Sequence, residues 1–418
     1  TFEATDLKYE SNSLSFGSKQ FKINNLFLGK NNSDSIKAGT IALSSVSLNN
    51  KDLSFYTPEI AATNFIWKQN VASIDKLITE SPKFSYLSKE IEFKTELEDL
   101  TFENIIYANN ELSVERNILK QPNIYINLQK GKKAEKPKRT PSKVSLEKIR
   151  LREILIDKAN LETQGISSFV EHIKDINIQA KNIEFAPNSQ YLSYEQTQCS
   201  IPEISIPLDN NSYTLNSGRL TLDLRKSDAD LRIENINLES LYPKFEFAYK
   251  HPKNKDWFGL DVGSIEIRKI NIDELRKENI FAQYLFVNDT HLYNLKNQNI
   301  KIQHNIMPMI YDVIYKFPKK FNIENTNIQN FNVVYEELAK GKNEPGKIFF
   351  TGMNGKVKNL TNIADSISQY IDVYANGYLM GNGYFDALWQ IPVSPQNDNF
   401  NLSAKLTDFD LQELNQLI

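Results

Sequence analysis

The stretch Ser264–Leu275, SIEIRKINIDEL, decides how the chain folds, because its apolar residues Ile265, Ile267, Ile270 and Ile272 are spaced two, three, two. A half-buried strand alternates strictly and an amphipathic helix repeats every three or four residues, so neither template fits. In a strand, successive side chains point to opposite faces, and one inserted residue would send every later apolar group to the wrong side. A bulge or bend at the inserted residue restores the face and coils the strand more strongly. The missed beat is therefore expected to mark a bend in a strand whose apolar side stays on one face.

The same spacing recurs at Phe21, Ile23, Leu26, Leu28, at Ile41, Leu43, Val46, Leu48 and at Val144, Leu146, Ile149, Leu151. It returns at Leu231, Ile233, Ile236, Leu238 and at Ala404, Leu406, Phe409, Leu411. An imperfect copy at Phe321, Ile323 and Ile328 has Thr326 in one slot. The intervals between copies vary too much for a solenoid of fixed period. Repeated down a sheet, such bends would curve it into a trough. Two short strands joined at a corner, or the inner face of a β-sandwich, produce the same spacing, and that alternative stays open on spacing alone.

Composition agrees with an ordered β-rich chain: of 418 residues 40% are hydrophobic, 24% charged and 11% aromatic. The 49 basic and 52 acidic residues leave a net charge of −3 and are spread along the whole length. No basic face is dense enough to neutralise a run of phosphates, so nucleic acid is not an expected partner. The lone Cys199 leaves the redox compartment open. No apolar run approaches the roughly 20 residues needed to span a bilayer, and FAQYLFV (Phe281–Val287) is interrupted by Gln283. The opening TFEATDLKYE has neither an initiator Met nor an apolar leader, which leads us to expect a fragment or processed form of a longer protein.

Short helical patterns lie between the strands. Ile166, Phe169, Val170 and Ile173 recur at helical spacing, as do Ile310, Val313, Ile314 and Phe317 before Pro318, and Leu411, Leu414 and Ile418 form a closing stripe. They are expected to cap sheet edges or ends. The stretch QKGKKAEKPKRTPSK (Gln129–Lys143) is basic, carries two prolines and lacks large apolar side chains, so it reads as a mobile loop or linker. It divides the chain into an expected β segment at 1–128 and another at 144–418. Contact with anionic lipid headgroups, at about 1 kcal/mol per basic residue, is the functional alternative for this stretch.

Catalytic signatures are not found. His172, His251, His291 and His304 are far apart in sequence, without HExxH or His-x-His spacing. There is no GxSxG elbow or phosphate-cradling loop, and GYLMGNGYFD (Gly377–Asp386) reads as strand bends or a hairpin. Glu336 and Glu337 read as a solvated strand end. The expectation is a non-enzymatic protein without cofactor or metal. A long sheet with one apolar face must pack against its own chain or offer that face to a ligand. At roughly 25 cal/mol per Å² of apolar area removed from water, an acyl chain lying on such a face gains several kcal/mol. Strand parity places Ile265, Ile267, Ile270, Ile272, Ile348, Phe350, Val373 and Leu406 on that lining.

The runs FNIENTNIQNFNVVYEE (Phe321–Glu337), PGKIFFTGMNGKVKNLTN (Pro345–Asn362), DVYANGYLMGNGYFDALWQIPV (Asp372–Val393) and LSAKLTDFDLQELNQLI (Leu402–Ile418) resemble the AsmA-like proteins of Gram-negative envelopes. The family's order is a strand ending in Val-x-Tyr, a strand ending in Asn-Gly, an Asn-Leu-Thr-Asn turn, a Gly-x-Gly strand pair and a closing Leu-x-Asp-hydrophobic-Asp-Leu. Tyr335, Asn354, Gly355, Asn359 to Asn362, Gly381, Gly383, Asp408, Asp410 and Leu411 stand in those places. The region from about 320 to 418 carries the resemblance. YPKFEFAYKHPKNKDW (Tyr242–Trp257) is similar in style to Bacteroidota members, and residues before about 140 match only in strand rhythm.

The resemblance implies a periplasmic protein anchored to the inner membrane through a segment absent from this chain. It also implies phospholipid or another acyl-chain lipid as cargo, a role in lipid transport and outer-membrane maintenance, and envelope protein partners. The expected fold is mainly β: a long, curved, largely antiparallel sheet forming an open, taco-like groove with a few short capping helices. The alternative is a structural or adhesive cell-envelope β-sandwich without lipid cargo. A carbohydrate-active β-helix enzyme ranks behind both, since no carboxylate cluster is visible.

Overall fold

The computed structural model describes all residues except 12–13, 30–34, 89, 129–145, 166–171, 190, 209–211, 252–255, 301–309, 364–369, 394–398 and 418. The protein is mainly β with few short helices. It forms two compact units, Thr1–Pro202 and Glu203–Ile418.

Unit 1 holds β1 (Phe2–Glu10), β2 (Ser15–Asn24), β3 (Phe27–Leu28), β4 (Ser35–Asn49), β5 (Leu53–Lys68), β6 (Val71–Glu80), β7 (Lys83–Leu87) and β8 (Ile91–Glu96). It continues through β9 (Asp99–Ala108), β10 (Glu111–Lys120), β11 (Asn123–Leu128), β12 (Lys148–Gln164), β13 (His172–Ala186), β14 (Tyr191–Ser193) and β15 (Gln196–Ile201). Unit 2 holds β16 (Ile204–Leu208), β17 (Tyr213–Ser217), β18 (Leu220–Arg225), β19 (Asp228–Ser240), α1 (Phe247–Lys250), β20 (Trp257–Asn271), α2 (Ile272–Leu275) and β21 (Ile280–Asn297). There follow α3 (Ile310–Tyr315), β22 (Phe321–Leu338), β23 (Gly346–Thr361), β24 (Tyr370–Leu379), β25 (Gly383–Pro392), β26 (Asn401–Thr407) and a 3-10 helix at Leu411–Leu417.

Where a register is described, pairing is antiparallel apart from β12 on β10 and β11, and β22 on β21, which are parallel. Parallel neighbours need a connection of a dozen or more residues, and 19 residues separate β11 from β12 and 23 separate β21 from β22. The basic segment 129–143 lies outside the described residues. The strands on either side of it, β11 and β12, are hydrogen-bonded to each other, and the compact units divide at Pro202 instead.

Five of the missed beats are bends; at the copies ending in Ile149, Leu151 and in Thr326, Ile328 the corresponding Lys148 and Asn325 are not left-handed. In SIEIRKINIDEL the residue before Ile270 is Lys269, whose φ of 59° lies in the left-handed region. Asn25, Ser45, Asn235 and Asp408 occupy the same place in their copies, with φ of 57°, 49°, 52° and 56°. Most left-handed residues inside strands are Asn or Asp, the side chains that tolerate this conformation best. Two consecutive residues then face outward, as Pro58 and Glu59 or Thr63 and Asn64 do on β5, and the apolar side resumes on its original face. One expectation fails at the end of the opening stretch: Ile272 is not in the strand. Asn271 accepts a bond from the Glu274 amide at 3.0 Å and starts α2 with Ile272 as its first residue.

Register aligns the bends from strand to strand. Thr63 pairs with Lys76, Lys76 with Glu103, Glu103 with Arg116 and Arg116 with Glu153, while the adjacent Asn64, Asp75, Asn104, Glu115 and Arg152 stay unbridged. A crease therefore crosses unit 1 at this level. A second passes through Ser45, Ser81, Gln121 and Lys158, all left-handed. In unit 2 a crease runs through Asn235, Gly263, Asp289 and Asn330.

At the crease through Ser45 and Ser81, buried hydroxyls on the inner face donate to backbone carbonyls. Ser18 Oγ donates to the Gln20 and Ser44 carbonyls at 3.0 Å each, and Thr57 Oγ1 donates to the Glu59 and Glu80 carbonyls at 3.0 and 2.6 Å. Both residues are buried. A buried carbonyl left without its donor costs about 1–3 kcal/mol, so Thr57→Val is expected to lower stability by that amount, read as a lower urea midpoint. Lys269→Ile puts a β-branched side chain in the left-handed region and is expected to lower the urea midpoint, whereas Lys269→Asn leaves the midpoint unchanged or raises it.

In unit 1 the pairings run from β5 through β6, β9, β10, β12, β11, β8 and β7 back to β5, a closed ring of eight strands with the other strands outside it. The ladder is also sewn across the ring's middle. The Ser81 amide donates to Glu98, Leu97 to Pro82, Glu98 to Lys120 and Gln121 to Asp157. An open groove is not what these pairings establish.

Of the helical expectations, α3 forms at Ile310–Tyr315, and Ile314 packs against Val357, Ile371, Ile391 and Val393. Ile166, Phe169, Val170 and Ile418 lie outside the described residues, and Ile173 belongs to β13. The closing stripe is a 3-10 helix with Leu411 exposed.

Candidate functional site

The inner side of unit 1 carries an almost wholly apolar hollow of about 310 Å³. Phe84 on β7, Phe93 on β8, and Leu97, Leu100 and Phe102 at and along β9 form one side. Leu119 on β10, Pro122, Ile124 on β11, and Leu151, Ile154 and Ile156 on β12 form the other. The creases explain why so many apolar groups meet. On the stretch from β8 to β9, Phe93, Thr95, Leu97, Leu100 and Phe102 face one way only because Glu98 and Asp99 both face out. The β10–β11 stretch repeats this, with Lys120 and Gln121 outward between Leu119 and Pro122.

Two polar side chains reach the hollow. Asn117 is buried and donates to the Glu153 carbonyl at 3.0 Å, and Thr95 has a buried hydroxyl without a partner. Charge is kept to the outer face. Arg116 bonds Glu153 at 2.8 Å and lies 4.0 Å from Glu103, while Arg152 bonds Glu115 at 3.2 Å. The Arg116 guanidinium, helped by Gln179, holds the Glu153 carboxyl below its ordinary range. In unit 2, Arg225 joins Asp223, Asp228 and Asp230 at 3.0, 2.6 and 2.9 Å, and this pairing lowers the Asp228 carboxyl. These carboxylates are engaged with cations.

The residues chosen from sequence as groove lining all lie in unit 2, and the structure separates them. Ile270 and Ile272 are buried in a packed cluster with Ala229, Ala282 and Ile323, with Ile267 at its margin. Ile265, Ile348, Phe350 and Val373 are half-buried, Phe350 meeting Phe385 edge-on at 5.8 Å and Val373 packing beside Ile371 and Ile391. Leu406, opposite Phe385, is exposed.

Sequence reasoning passed over the unit 1 hollow. A signal existed: Thr79, Pro82, Phe84, Tyr86 and Leu119, Pro122, Ile124, Ile126 repeat the three, two, two end of the skipped pattern with Pro in an apolar slot. Proline there looks like a turn, yet the chain carries its inner face straight through it.

The residues that carry the AsmA-like resemblance have structural duties. Asn354 Oδ1 accepts from the Asn330 amide at 3.3 Å, across a crease. Asn359 is left-handed, and Asn362 Oδ1 accepts from the Phe321 amide at 2.9 Å. No protein-family model matches the chain, and no curated protein matches it.

Proposed function

We propose that this is a non-enzymatic, open-troughed β protein that shelters the acyl chains of phospholipids or related lipids and takes part in their movement between the inner and outer membranes of a Gram-negative envelope. The observation that carries the reading is the unit 1 hollow, whose lining is hydrocarbon but for Thr95 and Asn117. Its volume falls at the lower end of ligand pockets. Each methylene laid against such a lining gains about 0.8 kcal/mol. The wider surface agrees: among the described residues more large apolar side chains are exposed than are buried. Envelope location and AsmA-like kinship rest on the sequence resemblance alone.

Native mass spectrometry of the purified chain, with lipid extraction in parallel, tests the reading. Bound species of fatty-acyl mass are expected, released by organic solvent. A chain free of lipid after gentle purification, and unable to take up a labelled fatty acid, counts decisively against it.

A further inference from the structure

One end of the unit 1 sheet carries an exposed apolar lip. Register places Leu28 on β3, Trp67 on β5, Tyr107 on β9, Phe185 on β13 and Leu192 on β14 at a single level across the sheet, and the strands between contribute only aliphatic residues at that level. These five side chains are 63%, 43%, 37%, 36% and 63% exposed. With strands about 4.8 Å apart, a row across nine of them is roughly 40 Å along the sheet. Exposed apolar surface of this extent is rare without a partner.

The lip is continuous with the hollow. On β9 the inner face runs Phe102, Ile105, Tyr107, and on β12 it runs Ile154, Leu151, Ile149, with no polar side chain between hollow and edge. Trp and Tyr at the rim of an aliphatic surface are the side chains that settle at a membrane–water boundary. A protein partner would need a complementary shape along the whole row, and a lipid surface needs none. We propose that this end of unit 1 seats on a lipid surface and that acyl chains pass over it towards the hollow. The inference rests on the lipid-sheltering reading above and adds where the cargo enters.

Co-sedimentation of the full chain with vesicles of phosphatidylcholine and phosphatidylglycerol tests this. The combined variant Leu28→Ser, Trp67→Ser, Leu192→Ser is expected to lower vesicle partition ten-fold or more, with an unchanged far-UV circular dichroism spectrum. Its uptake of a labelled fatty acid in vesicle-free buffer is expected to stay at the wild-type level. As a second measurement, Trp257→Phe with Trp389→Phe leaves Trp67 as the fluorophore, and brominated phosphatidylcholine vesicles are expected to quench it. Wild-type protein that does not sediment, a triple variant that sediments equally well, or an unquenched Trp67 overturns the lip. A dimer lost in the triple variant without vesicle binding overturns it in favour of a second copy. Lip-dependent vesicle binding by a chain that takes up no fatty acid upholds the seat and sinks the lipid-sheltering reading instead.

Discussion

Phe102→Asp is expected to strip bound acyl chains from the protein, lowering their occupancy in native mass spectra by ten-fold or more. Phe102 lines the hollow from β9, between Leu100 and the crease at Asn104. The substitution removes an aromatic surface worth about 2 kcal/mol of apolar contact, and it leaves a carboxylate that hydrocarbon cannot solvate. A difference of 1.4 kcal/mol is already ten-fold in binding. Phe102 is only half-buried, so the chain can hydrate the new carboxylate and keep its fold, which circular dichroism checks. Arg152→Ala, on the outer face, is expected to leave occupancy unchanged.

Gly263→Val is expected to destabilise unit 2 strongly, costing about 3 kcal/mol as overpacking beside a fixed backbone. Gly263 lies at the unbridged level between Asn235 and Asp289, both left-handed. A Cβ there would come within 2.9 Å of the Asp289 Cβ and 3.3 Å of the Asn288 carbonyl oxygen. Asp289 cannot swing aside, because its Cβ is fixed by the left-handed backbone and its carboxylate accepts from Asn330 Nδ2 at 2.9 Å. Urea denaturation measures the loss. Gly341→Ala is the control: with φ of 78° and open space around it, this change adds only the strain of the left-handed region, about 1 kcal/mol.

The bends were legible in sequence because they are local. Two polar residues between apolar pairs mark a crease at Asn25, Ser45, Asn235, Lys269 and Asp408, though not at Lys148 or Asn325. Ser18 and Thr57 were not legible, since a hydroxyl in an apolar slot looks like a flaw until the neighbouring strand's carbonyl is beside it. The segment 129–143 resembled a linker by composition. That β11 and β12 on its two sides would pair is a non-local fact no window of sequence carries.

The site was harder to read than the fold. Ile270 and Ile272 are as apolar as Ile154 and Ile156, and spacing alone gives all four an inward direction. Whether an inward side chain is covered depends on its neighbours, and Ile270 packs with Ala282 on β21 and Ile323 on β22.

The creases have a consequence for how such a protein lengthens. Curvature is written at matching heights into the long strands, like the fold lines scored into the slats of a blind. Duplication of a hairpin inserts slats already scored, so new strands inherit the bend of their neighbours. A duplicate whose score falls one place off would turn its greasy side to water. A wall lengthened strand by strand in this way keeps its curve only while each left-handed residue holds its height.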